Sequence, residues 1–200
     1  MEIEYTNLYG KPLTAHQIAS SDIFIKIFKE NNRLRKKQYY ENNTLFNELN
    51  YIELGTSHHD LLAQNIELLG IIEIEDIDTN YTKFHCFTYF NKILTSKVVE
   101  IELNGRVIMT QELNIETNIP IYNKTYKYYE DQNKDSEFEF KYYSSGGLAS
   151  IIVSNRTTQF LEQYKINELD AIPNFEWWSQ YSSYYLNAEP AIPNKIIIIV

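Results

Sequence analysis

The chain has 200 residues, 44% apolar and 22% charged, with a formal charge of −9; this is one domain, or two small ones, long enough to bury a real core. Its single cysteine, Cys86, excludes an internal disulfide and a cysteine-only zinc site. No apolar run approaches the ~18–20 residues that span a bilayer, and Met1-Glu2-Ile3-Glu4-Tyr5 lacks the regions of a signal peptide, so no membrane is expected and the expected location is cytoplasmic.

Isoleucine (26), asparagine (20) and tyrosine (17) are abundant while alanine (7) and glycine (6) are scarce. Isoleucine and tyrosine suit strands, and scarce alanine argues against a helical bundle. The same bias follows from AT-rich codons and points to a low-GC bacterium.

In chain order, Thr14-Ala15-His16-Gln17 has capping-box spacing and opens a short helix ending near Ser20. Asp22–Glu30, Arg33–Glu41 and Thr44–Leu54 read as strands, joined by Asn31-Asn32 and Asn42-Asn43, since asparagine tolerates the left-handed conformation of a two-residue hairpin turn. Glu30-Asn31-Asn32-Arg33-Leu34 and Glu41-Asn42-Asn43-Thr44-Leu45 repeat at an offset of 11. The basic run Arg33–Lys37 reads as the protection of a strand edge. Ser57–Leu69 changes to a helical period, with Ser57 as cap and Gly70 as stop. Strands resume at Ile71–Ile77, Tyr81–Leu94, Val98–Leu103 and Arg106–Ile115, the last two joined by Asn104-Gly105, a strong type I′ signal. Ile121–Glu130, Glu137–Tyr143 and Leu148–Ser154 follow. Thr157–Ile166 reads as a short helix, and Asn174–Leu186 as a better one. Ile196–Val200 reads as a strand buried on both faces. Together these predict a single α+β domain over residues 1–200, mostly antiparallel sheet built of hairpins with a few helices packed on it, with a sub-boundary near 55 left open.

The charge excess is localised. Nine acids and no lysine or arginine lie between Gln38 and Thr82; the rest of the chain holds 18 of each sign. Such a surface repels nucleic acid and attracts a basic partner or a cation; the alternative is a solvated face that maintains solubility. Trp177, Trp178, Tyr181, Tyr184 and Tyr185 form a helical stripe, which either packs inward or anchors a partner. Tyr126, Tyr128, Tyr129, Tyr142 and Tyr143 add to the same or another surface.

Conventional sites are scarce. His58-His59-Asp60 and His85-Cys86 are the only group resembling metal or nucleophile chemistry. Adjacent helical histidines point about 100° apart, and strand neighbours point to opposite faces. Glu73/Glu75, Glu100/Glu102 and Glu137/Glu139 each place two carboxylates on one strand face, a geometry shared by glycosidases and by ordinary polar faces. No phosphate-binding loop can be written from the six glycines. No cofactor or metal is expected.

Ile27–Leu34 and Tyr40–Leu45 resemble the MORN-variant repeat, whose units read roughly aromatic-x-x-Asn-Gly-x-Leu. The resemblance covers residues 23–54, with asparagine at the second turn position. It implies antiparallel hairpins of the kind found in bacterial antitoxin and immunity-type proteins, and it carries no catalytic residue. In type, the chain is similar to the immunity proteins of bacterial toxin systems. The leading expectation is therefore a cytoplasmic, acidic, non-enzymatic immunity protein occluding the active site of a basic toxin domain. Glu67, Glu73, Glu75, Asp76 and Asp78 would make the contact, with Trp177, Trp178, Tyr181, Tyr184 and Tyr185 as anchors. The alternative is a hydrolase-like enzyme with a site around His58, His59, Asp60 and His85.

Overall fold

The computed structural model describes residues 1–131, 135–155 and 157–193. Among them, twelve strands hydrogen-bond in chain order: β1 (Glu2–Thr6), β2 (Ile23–Glu30), β3 (Arg33–Glu41), β4 (Thr44–Glu53), β5 (Leu68–Asp76), β6 (Tyr81–Phe90), β7 (Ile93–Leu103), β8 (Arg106–Leu113), β9 (Pro120–Asp131), β10 (Ser136–Tyr142), β11 (Leu148–Asn155) and β12 (Phe160–Lys165). Helices among the described residues are few and short: α1 (Ala15–Ala19), α2 (His59–Leu62) and α3 (Trp178–Tyr185), with a 3₁₀ turn at Ile166–Ala171. The fold is mostly antiparallel β-sheet. No helix among the described residues is long and apolar enough to cross a membrane.

Four two-residue turns enforce the meander. Asn31-Asn32, Asn42-Asn43, Asn91-Lys92 and Asn104-Gly105 all hold both central residues at positive φ, the type I′ geometry whose twist matches that of paired strands. The turn at Asn91-Lys92 divides the expected Tyr81–Leu94 strand between β6 and β7; its lysine gives no turn signal. At the other end of the chain, Thr14 caps α1 as expected: Gln17 N–H donates to its hydroxyl, and Thr14 N–H donates back to Gln17 Oε1.

The β4–β5 pair is parallel. The segment 54–67 returns the chain along the sheet, and only His59–Leu62 of the expected Ser57–Leu69 helix is helical. Leu68 and Leu69 instead pair with Asn47 and Glu48, because an apolar run beside β4 gains both a ladder and burial. Gly70 lies inside β5, not at a helix end, and a Cβ there would collide with the Leu49 side chain opposite. Arg33–Lys37 lies in β3, which is flanked by β2 and β4, so it is not an edge. Similarly, Phe160–Lys165 pairs with β11 along its length rather than forming a helix. The expected strand at Ile196–Val200 lies outside the described residues.

The chain forms two compact units. The first comprises Met1–Asp76 and Phe84–Lys97; the second comprises Ile77–Lys83 and the chain from Val98 onward. The first unit buries Phe24, Ile25, Leu69 and Ile71 together with a polar group, Glu48 and Asn50. The Glu48 carboxylate is fully buried and accepts from Gln38 (2.6 Å), Asn50 (2.8 Å) and Lys36 (2.9 Å), as a buried charge requires.

The second unit has the larger core. Alternation along β9–β11 turns Tyr129, Phe138, Phe140, Tyr142, Ile151 and Val153 to one side, where α3 covers them. Tyr185 stacks on Phe140 at 4.2 Å and Trp177 on Tyr129 at 3.7 Å between ring centroids. Lys127 is wholly buried in the same layer. Its ammonium donates to the carbonyls of Tyr184 (2.7 Å), Asn187 (2.9 Å) and Pro190 (2.8 Å) and lies 3.7 Å from the centre of the Tyr184 ring. Burial pushes it down to about 7, against the charge of Glu189.

Candidate functional site

The residues expected to dock a partner have diverse surroundings. Trp177 and Trp178 are half-buried, and Tyr181, Tyr184 and Tyr185 are buried in the core of the second unit. The helix begins at Trp178 rather than after Asn174, which sits in a turn at positive φ. The aromatic stripe therefore packs inward. In the acidic segment, Glu67 and Asp76 are exposed, as is Asp78, whose carboxylate accepts from the backbone of Asn80 and Tyr81 and so shapes a turn. Glu73 and Glu75 are half-buried and each holds a histidine, His58 at 2.8 Å and His85 at 2.9 Å.

His58 has two side-chain partners. One ring nitrogen meets Glu73; the other meets the Tyr89 hydroxyl at 2.9 Å, with Phe87 edge-on at 4.8 Å. Burial raises the Tyr89 hydroxyl, with help from the Glu73 charge. This arrangement pins the crossover 54–67 to β5 and β6. His59 and Asp60 are exposed and face one another at 3.3 Å. His58 and His85 thus have separate carboxylates, and no three His, Cys, Asp or Glu side chains among the described residues converge as metal ligands.

A concavity lies on the second unit, on the sheet face opposite α3. It is a cavity of about 640 Å³ lined by β8–β12. Strand register builds it. Thr110 lies opposite Tyr126, Tyr128 opposite Glu139, and Glu139 opposite Ile152. One row further, Glu130 lies opposite Glu137, and Glu137 opposite Ser154. Leu161 of β12, 73% exposed, closes the lining. Glu100 on β7 sits across from Thr110 on this side. Tyr128 is held by its hydroxyl, 3.2 Å from Thr110 Oγ1.

The electrostatics are acidic. Burial raises Glu100, reinforced by Glu102, and burial raises Glu102 as well. Three cations of the chain already sit on glutamates here: Arg106 on Glu130 (2.8 Å), Lys141 on Glu139 (3.3 Å) and Lys124 on Glu112 (2.6 Å). Lys141 also lies 5.8 Å from the Tyr126 ring centre. Glu130 faces Glu137 across the β9–β10 ladder, and Arg106 on Glu130 offsets the repulsion between the two carboxylates. The sequence signals of this face are the Glu100/Glu102 and Glu137/Glu139 pairs and the alternating Tyr126 and Tyr128. Their convergence depends on register, and the charge count between Gln38 and Thr82 pointed elsewhere. Comparison of the chain with protein families, curated proteins and solved structures finds no match.

Proposed function

We propose that the protein is a cytoplasmic binding protein of the α+β class that takes up a basic protein surface and acts by occluding it. The narrower form of this reading is an immunity protein neutralising a cognate bacterial toxin. The observation that carries the binding reading is the tyrosine- and glutamate-lined cavity on the open sheet face of the second unit, whose opposite face is filled by α3. Rigid strands present these side chains, so little order has to be gained on binding. The formal charge of −9 supports electrostatic attraction of a basic partner. The toxin in particular is supported by the resemblance of residues 23–54 to hairpin repeats of antitoxin and immunity-type proteins.

The test is to co-express the chain with any larger basic protein whose gene adjoins its own. The wild-type chain should rescue growth and bind that protein, more tightly at low salt than at high salt. Glu130→Lys, Glu137→Lys and Glu139→Lys combined should abolish both effects. Glu67→Lys with Asp76→Lys should chiefly slow association. Full protection by the triple variant would refute the reading.

One observation favours a second reading, a hydrolase. His58 stands between the Tyr89 hydroxyl and Glu73, the relation of nucleophile, base and orienting carboxylate. Turnover of a chromogenic ester that His58→Ala abolishes would support it; equal rates for both proteins would end it.

A further inference from the structure

We propose that residues 54–67 form a strap that opens as one unit while the sheet beneath it stays paired, with His58 as its clasp. Every group involved belongs to the first unit, so the device does not depend on the docking face of the second.

The strap is lightly held along its length. No residue from Leu54 to Glu67 is buried. Leu61, Leu62 and Ile66 are half-buried and supply its apolar hold. Its helix, α2, is a single turn without a side-chain cap; Leu62 N–H donates to the His58 carbonyl (2.9 Å) and Ala63 N–H to that of His59 (3.0 Å). One turn does not sustain itself, because a first helical bond fixes three residues at once. The strands at either end are held differently. β4 and β5 share a parallel ladder running from Asn47–Leu68 to Glu53–Ile74, with Leu69 and Ile71 buried. That ladder does not pass through the strap, so releasing the strap breaks none of its pairing. Segments with little buried apolar surface open at a lower energy than the whole fold.

His58 concentrates the remaining hold. Among the described residues it is the only strap side chain hydrogen-bonded to the sheet: Nε2 lies 2.8 Å from Glu73 Oε1 on β5 and Nδ1 2.9 Å from the Tyr89 hydroxyl on β6. Its ring also meets Phe87 edge-on at 4.8 Å. A carboxylate only accepts and a hydroxyl can donate, so one tautomer, with the proton on Nε2, makes both bonds. Backbone contacts mark the two ends of the strap: Gly55 N–H donates to Glu73 Oε2 at 3.4 Å, and Asn91 N–H to the Glu67 carbonyl at 2.8 Å. The His58 carbonyl is the first acceptor of α2, so release of His58 and unwinding of α2 are one event. Opening frees the Glu73 carboxylate, the Tyr89 hydroxyl and the side of Phe87 that His58 covers.

The experiment is hydrogen exchange of the full chain, read residue by residue by NMR across a urea series below the unfolding transition. In the wild type the Leu62 and Ala63 amides should share one protection factor, at least about tenfold below that of the β5 amides, with little dependence on urea, because local opening exposes little surface. His58→Ala should lower the protection of those two amides about twentyfold and Tyr89→Phe about fivefold, the equivalents of two hydrogen bonds and of one. Diethyl pyrocarbonate on the wild type gives a reading that needs no variant. His59, its side chain 87% exposed, should be modified at once, and His58, 16% exposed, more slowly and at a rate that low urea leaves unchanged. Leu62 and Ala63 amides that exchange with the rate and urea dependence of β5 overturn the proposal. So does a His58→Ala chain whose strap is as protected as wild type, or a His58 that is modified only where urea unfolds the whole chain.

Discussion

Replacing Lys127 with methionine should cost the second unit about 3 kcal/mol. The side chain spans from β9 to the segment after α3, and its ammonium supplies the donors for the carbonyls of Tyr184, Asn187 and Pro190. Methionine fills the volume of the stem but leaves three acceptors without that donor, at roughly 1 kcal/mol or more each where water does not enter. Against this stands the relief of a buried charge, which has already pushed the amine down to about 7. The same displacement gives a pH signature. From about pH 7 up to the ordinary lysine range the unfolded chain holds a proton that the folded chain has released, so stability rises with pH. Between pH 7 and 9 the gain is about 2 kcal/mol. Above about pH 10 the trend reverses, because burial raises Tyr142, Tyr184 and Tyr185 and the folded state then resists their ionisation. Urea denaturation followed by tryptophan fluorescence measures this unit directly, since Trp177 and Trp178 are the only two tryptophans and both pack on its core. A Lys127→Met variant within 1 kcal/mol of wild type, with an unaltered slope between pH 7 and 9, would refute the reasoning.

Glu48→Gln should destabilise the first unit by about 3 kcal/mol, because it turns an amide toward the donors of Gln38, Asn50 and Lys36 and leaves a lysine without its buried counter-charge; urea titration by circular dichroism reads this. Gly70→Ala should cost about 1 kcal/mol by crowding Leu49, and Leu49→Ala in the same chain should recover part of that loss in a double-mutant cycle. Lys92→Gly should stabilise by roughly 0.5–1 kcal/mol, since Lys92 occupies φ 67° in its turn and glycine does so without strain; a higher urea midpoint with unchanged slope is the expected result.

The hairpins were legible because asparagine marks them twice over, in conformation and in position: Asn31-Asn32, Asn42-Asn43 and Asn104-Gly105 delimit strands to within a residue or two. The crossover was not. Leu62, Ile66 and Leu69 carry a helical spacing, yet Leu69 gains more by pairing with Glu48 in a parallel ladder, a partner that no local window contains. Phe160–Lys165 departs from its expected helix for the same reason, its fate decided by the free side of β11. The aromatic stripe was recognised, and its inward orientation follows from the flat aromatic layer of Tyr129, Phe138 and Phe140 beneath it. Only register reveals the open face: Glu130 and Glu137 are seven positions apart in sequence and directly opposite in the sheet.

Strand order equal to chain order also shapes how the molecule assembles. Most ladders close a short turn, so pairing can zip from one hairpin to the next with little loss of chain freedom. The joins across residues 7–22 and 54–67 are longer, and of these only the second, between β4 and β5, must bring the chain back to run parallel to the strand it left. That seam is where refolding should pause, and where the His58 contacts to Glu73 and Tyr89 would act as the clasp that completes it.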